Sequence, residues 1–117
     1  MRIGLYTQNV LNTKGNSNEK HGGFMREKTI EAKLVKAVKA KGGLALKFIC
    51  PGLNGVPDRL VLLPKGKIAF IELKAPGETM RPLQVKRKRQ LESLGFLVYC
   101  IDSAEQIGVT INAIQAS

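Results

Sequence analysis

The chain has 117 residues, which is enough for one compact domain and too few for two. Its apolar fraction of 44% excludes extensive disorder, and 19 Lys and Arg against 9 Asp and Glu give a net charge of +10 that favours polyanionic partners. No apolar run is long enough to span a membrane, and the spacing of the Cys and His residues argues against a structural zinc site.

The predicted elements are, in order, a helix, three strands, a helix, a strand and a last short helix. Residues 1–24 are polar and turn-forming, and we expect an N-terminal appendage or arm there, followed by a single domain over 25–117. Apolar residues spaced three and four apart predict a first helix over 25–41 that ends at Gly42 and Gly43. The further predicted elements are strands over 44–49, 59–63 and 67–74, a helix over 82–94, a strand over 96–101 and a short helix from Ala104.

Turn and cap residues connect these elements. A turn over 64–67 predicts that the second and third strands form a hairpin, and Thr79 is a candidate N-cap for the next helix. Ser103 and Gln106 have the spacing of a capping box. The element order predicts an α/β fold in which helices flank a mixed central sheet.

Three charged residues lie where the hairpin strands begin and end. Asp58 precedes the second strand, while Glu72 and Lys74 end the third and point to the same face because strand side chains alternate. Such charges are costly on an apolar strand unless they are paired or bind a metal. Carboxylates suit Mg²⁺ or Mn²⁺, and the carbonyl of Leu73 is a further candidate ligand. The alternatives are a turn-capping Asp58 and a solvated ion pair between Glu72 and Lys74.

A helix acid is a candidate fourth member of the site. Glu31 shares a face with the apolar residues Leu34 and Val38, where an unpaired carboxylate is unfavourable. It could bind a metal directly or through water, or it could pair with nearby lysines. Glu27, one turn earlier, is the competing candidate.

Basic residues predict contact with a phosphate backbone. Gln84 opens the predicted helix over 82–94, whose surroundings are rich in cations. The candidate DNA-binding residues are Arg81, Lys86, Arg87, Lys88, Arg89, Arg59 and Lys65, and we expect Lys47 and Lys67 to extend the same track. Aromatic residues are scarce, so duplex or junction shape is favoured over base stacking, although a charged run can also be a simple solvated face.

These motifs together resemble a known family. The chain from about residue 25 to 103 is similar to the VRR-NUC branch of the PD-(D/E)XK nucleases, in the standalone form found in phages and bacteria. The matching positions are Glu31, Gly55-Val56-Pro57-Asp58, Glu72-Leu73-Lys74 and Gln84. Residues 1–24 fall outside the resemblance.

The resemblance implies a restriction-endonuclease-like αβββαβ core and DNA cleavage that depends on Mg²⁺ or Mn²⁺. It implies metal ligation by Asp58 and Glu72, a catalytic role for Lys74, a helix acid at Glu31 and support from Gln84 for the lysine or a phosphate. It also implies a homodimer that cuts branched DNA such as Holliday junctions, with no organic cofactor and no membrane association. The expected location is the cytoplasm, that of the host cell if a phage encodes the protein.

Two rival hypotheses remain at the level of sequence. A non-catalytic basic module would bind nucleic acid and use its acids only to balance lysines. A nuclease that works only within a larger replication or recombination assembly would bind metal but cut weakly alone.

Overall fold

The computed structural model describes residues 22–117, with side chains described from residue 26 onward. In chain order these residues form helix α1 (Gly22–Ala40), strands β1 (Leu44–Lys47), β2 (Arg59–Leu63) and β3 (Lys67–Leu73), helix α2 (Pro82–Ser93), strand β4 (Leu97–Ile101) and helix α3 (Glu105–Gln115). The predicted fold class and element order are confirmed. The predicted appendage lies outside the described residues as far as residue 21.

The strands form one mixed sheet in the order β1-β2-β3-β4. The first three strands are antiparallel, with Arg59 opposite Ile71, and β4 runs parallel to β3, with Leu73 beside Ile101. The start of β2 therefore meets the ends of β3 and β4 at one edge of the sheet. That edge carries the residues singled out in the sequence.

One face of the sheet holds the hydrophobic core. Helices α1 and α3 cover this face, and Leu34 from α1 and Ile111 from α3 pack in the same cluster as Ile71 and Ile101 from the strands. The chain enters β1 through Gly43, where any Cβ would lie 2.3 Å from the Leu62 carbonyl oxygen. Only glycine therefore permits this close connection. No helix among residues 22–117 is long and apolar enough to cross a bilayer.

Residues 22–117 cover the opposite face of the sheet only in part. Helix α2 lies near β4 on this face. Four large apolar side chains on the same face are exposed to solvent: Leu44, Leu46, Ile68 and Phe96. Leu44 lies opposite Leu62, and Leu62 lies opposite Ile68, so these side chains form a cross-strand row. We call Leu44, Leu46, Ile68 and Phe96 the open sheet face.

Two predicted helix caps are wrong. Arg81, and not Thr79, is the cap residue of α2. Gln106 does not bond back to Ser103 through its side chain; it donates to Asp102 Oδ1 at 2.9 Å and accepts from the Asp102 backbone N–H at 2.7 Å. This reciprocal pair ties the end of β4 to α3 and replaces the capping box.

Candidate active site

Asp58 and Glu72 meet because the β2–β3 hairpin aligns the residue before one strand with the end of the other. Asp58 Oδ2 accepts a hydrogen bond of 2.8 Å from the backbone N–H of Leu73. In a strand, the N–H and C=O of one residue point to the same side, so the Leu73 carbonyl is also directed toward Asp58. A carboxylate oxygen of Asp58 and the carbonyl oxygen of Leu73 therefore lie close together at this edge of the sheet.

Lys74 extends the same face beyond the end of β3. Its backbone N–H donates to the Ile101 carbonyl at 2.9 Å, which keeps the chain extended for one more residue. Its Nζ lies 3.5 Å from Glu72 Oε2, and the two side chains are 9% and 2% exposed, respectively. The pair is therefore a buried one and not the solvated surface pair that the sequence left open.

Gln84 fixes the orientation of Glu72. Its Nε2 donates to Glu72 Oε2 at 2.7 Å, and its Oε1 accepts from the backbone N–H of Arg81 at 2.8 Å. The first turn of α2 thus holds the oxygen of the Gln84 amide, and the Glu72 carboxylate holds its nitrogen. The structure places Gln84 on the acid of the site, whereas the sequence suggested the lysine or a phosphate.

The second oxygen of Glu72 differs from the first in its surroundings. Glu72 Oε1 is buried and makes no hydrogen bond to any described residue. Burial, followed by the nearby charge of Asp58, raises the pKa of Glu72 to about 7 despite the opposing effect of Lys74. Burial likewise raises the pKa of Asp58, although the Leu73 N–H opposes the shift. The site therefore holds more negative charge than its protein partners stabilise.

A divalent cation fits this arrangement. The unpartnered Glu72 oxygen, the Asp58 carboxylate and the Leu73 carbonyl are hard oxygen donors of the type that Mg²⁺ and Mn²⁺ prefer. Within residues 22–117, no three His, Cys, Asp or Glu side chains converge closely enough to hold an ion by themselves. Mg²⁺ is commonly bound through one or two carboxylates, with water and substrate phosphate completing its shell.

The helix acids occupy different environments. Glu31 Oε2 lies 2.9 Å from Arg59 Nε and 3.8 Å from Lys47 Nζ. Two cations therefore already hold this carboxylate, and a metal contact of Glu31, direct or through water, stays a prediction. Burial, followed by the charge of Asp58, raises the pKa of Glu27. Glu27 also contributes to the raised pKa of Glu72, and Glu31 contributes to that of Asp58, so the charges of both helix acids act on the site.

The predicted DNA-binding cations divide into exposed and engaged residues. Arg81, Lys86 and Arg89 are exposed around α2. Lys88 Nζ lies 2.7 Å from Glu92 Oε2 in a surface pair. Lys65 is exposed but lies in the β2–β3 turn, at the opposite end of the hairpin from Asp58 and roughly 20 Å away at 3.3 Å per strand residue.

Protein groups hold Arg59 and Arg87 in this structure, and their contact with DNA stays a prediction. Arg59 Nη1 donates to the Ala45 carbonyl at 2.9 Å while its Nε holds Glu31. Arg87 is buried, and its Nε donates to the Asn54 carbonyl at 2.8 Å. Charge type alone could not distinguish these residues from their exposed neighbours.

The loop before Asp58 is a feature that the sequence did not assign to the site. We call residues 49–57 the Asp58 loop. Arg87 anchors it at Asn54, and Gly55 packs against Leu83 with a φ of +85°. The sequence of this stretch contains two glycines and two prolines, which predict a turn but do not show that the turn is attached to α2.

Comparison with known proteins shows the family to which the chain belongs. No protein-family model matches the sequence. A protein of Acyrthosiphon pisum secondary endosymbiont phage 1, described as "Putative nuclease p44", is 51% identical over 82 residues, covering 70% of this chain and 88% of that protein. A solved structure of a "VRR_NUC domain" is 30% identical with a TM-score of 0.70, covering 74% of this chain and 95% of that one. The chain therefore belongs to the VRR-NUC family of nucleases.

Proposed function

We propose that the protein is a DNA endonuclease that requires Mg²⁺ or Mn²⁺. The observation that carries this proposal is the buried, unpartnered Oε1 of Glu72, on a carboxylate that neighbours Asp58 and Lys74. A structural acid in this position would be expected to have both oxygens satisfied. An ion held by Asp58, Glu72 and the Leu73 carbonyl would satisfy it.

The residues of the chain have separate tasks in phosphodiester hydrolysis. A bound ion supplies Lewis acidity toward a phosphate oxygen and makes water a better nucleophile at neutral pH. The Leu73 N–H orients Asp58, and the Gln84 amide orients Glu72. The Lys74 ammonium, 3.5 Å from Glu72, stabilises the negative charge that develops on the phosphate during in-line attack.

DNA reaches this site along the exposed cations of α2. Arg81, Lys86 and Arg89 lie on the helix whose first turn carries Gln84, so they can bind phosphates on either side of the cut. We further propose branched DNA, such as a Holliday junction, as the preferred substrate and a homodimer as the active form. The open sheet face supports the dimer because soluble monomers seldom expose large contiguous apolar patches.

Cleavage of labelled DNA tests the proposal. Duplex, flap and four-way-junction DNA would be incubated with the protein in EDTA, Mg²⁺ or Mn²⁺. We expect product only with metal, and Lys74→Ala should lower the rate by about 10²–10³-fold while DNA binding persists. Lys65→Ala, which removes an exposed cation at the far end of the hairpin, is the matched control and should cut at close to the wild-type rate.

Each rival hypothesis predicts a different result. Binding that weakens steeply with salt but gives no product in any metal would support a non-catalytic basic module. Metal binding with product only in the presence of a captured partner would support a nuclease that acts within a larger assembly. A Lys74→Ala variant that cuts at the wild-type rate would exclude the assigned role of Lys74.

A further inference from the structure

The Asp58 loop presents apolar side chains to solvent beside the proposed catalytic carboxylate. Ile49 is 74% exposed and Leu53 is 40% exposed. Single exposed apolar residues are common on protein surfaces and need no explanation. These two residues differ because they share one short loop, and because that loop leads directly into Asp58.

The loop is held firmly although its apolar residues face outward. The Leu53 N–H donates to the Cys50 carbonyl at 3.1 Å, which closes a turn at the tip. The buried Arg87 holds the Asn54 carbonyl at 2.8 Å. Gly55 lies so close to α2 that an added Cβ would be 2.9 Å from Leu83. The loop that carries Ile49 and Leu53 is therefore anchored on α2.

The other end of the loop is fixed beside the active site. The Phe48 N–H donates to the Asp58 carbonyl at 2.9 Å, and the Phe48 ring lies 5.4 Å from that of Phe70. Because Ile49 follows Phe48 directly, its Cα lies within roughly 10 Å of that of Asp58. Leu53 is five residues before Asp58 and can be at most about 18 Å away. The backbone at Ile49 and Leu53 is thus close to the proposed cleavage position, and both side chains are exposed there.

We infer that Ile49 and Leu53 form an apolar wedge that contacts nucleobases of distorted or branched DNA at the cleavage position. This inference rests on the proposed function. Lysine and arginine contacts to phosphates are similar in duplex and branched DNA and do not distinguish them. Apolar side chains gain contacts only where bases are unstacked, as when Ile, Leu or Phe enter a base step. The wedge therefore supplies selectivity for DNA structure that the basic surface lacks.

The inference is tested with an Ile49→Ser, Leu53→Ser double variant. Its matched control is a Leu94→Ser, Val109→Ser double variant, which removes exposed apolar residues from the end of α2 and from α3. A four-way junction carrying 2-aminopurine at the branch reports base unstacking in EDTA, where no cutting is expected. Wild type and control should raise the fluorescence on binding, and the wedge variant should lose most of the rise while staying folded by circular dichroism.

Cleavage in Mg²⁺ provides the second readout. The rate on the junction relative to linear duplex should fall about tenfold in the wedge variant, equivalent to ~1.4 kcal/mol, and stay unchanged in the control. Fluorescence equal to wild type in the wedge variant, or no rise for the wild type itself, would overturn the inference. Loss of a dimer by sedimentation in this variant alone would also overturn it, since Ile49 and Leu53 would then join two copies. A protein that unstacks bases in EDTA but never cuts would contradict the proposed function and leave the wedge intact.

Discussion

At the scale of single residues, Glu72 carries a large electrostatic cost, because an ionised carboxylate is unfavourable when it is buried. Its side chain is 2% exposed; one oxygen accepts from Gln84, and the other has no hydrogen-bond partner among residues 22–117. Burial above all raises its pKa to about 7, so the metal-free fold favours the protonated acid. A group with a raised carboxyl pKa stabilises the folded state below its unfolded pKa, and that contribution is lost as the pH rises through the folded value.

The raised pKa of Glu72 predicts how the stability of the protein depends on pH. In EDTA, the melting temperature of the wild type should fall relative to that of Glu72→Gln as the pH rises from 5 to 8, because only the wild type must ionise the buried group. The change in the difference should reach at least about 4 °C, which corresponds to roughly 1 kcal/mol in a domain of this size. Thermal melts followed by circular dichroism measure it, and a difference that is constant with pH would contradict the assignment.

Glu27 and Glu31 make a second comparison between single residues. We expect Glu27→Gln to slow metal-dependent cleavage more than Glu31→Gln, because Glu27 is coupled to Asp58 and Lys74 whereas Arg59 holds Glu31. Glu31→Gln should instead lower stability by about 1 kcal/mol, since it weakens the pairing of a partly buried Arg59. Cleavage rates and thermal melts of both variants separate the roles, and a larger rate loss for Glu31→Gln would reverse the assignment.

At the scale of elements, the hairpin and its charges could be predicted because their signals are local. Alternation along residues 67–74 and the turn before them determine β2 and β3, and with them the meeting of Asp58 and Glu72. The position of Arg87 could not be predicted, because its burial depends on Asn54, which is distant in sequence. Gln106 was misassigned for a similar reason: its amide has two suitable partners nearby, and packing selects Asp102.

Gly55 connects the Asp58 loop to α2 and allows a direct test of that packing. Gly55→Ala should destabilise the protein and slow cleavage, because its φ is +85° and the new Cβ would lie 2.9 Å from Leu83. Gly52→Ala is the matched control, with a φ of +87° and nothing within 4 Å of the new Cβ. The Gly52→Ala variant should lose only the stability that a left-handed alanine costs, about 1–2 kcal/mol, and keep its cleavage rate. Equal effects of the two variants on the rate would contradict a role for the loop contact.

At the scale of the whole molecule, α1 and α3 cover one face of the sheet, and the described part of the chain leaves the other face partly open. A Leu44→Lys, Ile68→Lys double variant should convert the proposed homodimer to a monomer, because lysine charges would have to be buried between two copies. Leu94→Lys is the control, since Leu94 is also exposed but lies at the end of α2. Sedimentation velocity measures the outcome, and a double variant that stays dimeric would place the interface elsewhere.

The central claim is that Asp58, Glu72 and the Leu73 carbonyl hold a divalent cation beside Lys74. The most direct measurement is a crystal structure with Mn²⁺, using anomalous diffraction to locate the ion. We predict a peak at coordination distance, about 2–2.5 Å, from both carboxylates and the carbonyl. A protein that cleaves DNA in Mn²⁺ but shows no anomalous peak at this position, or binds the ion at another cluster, would contradict the account.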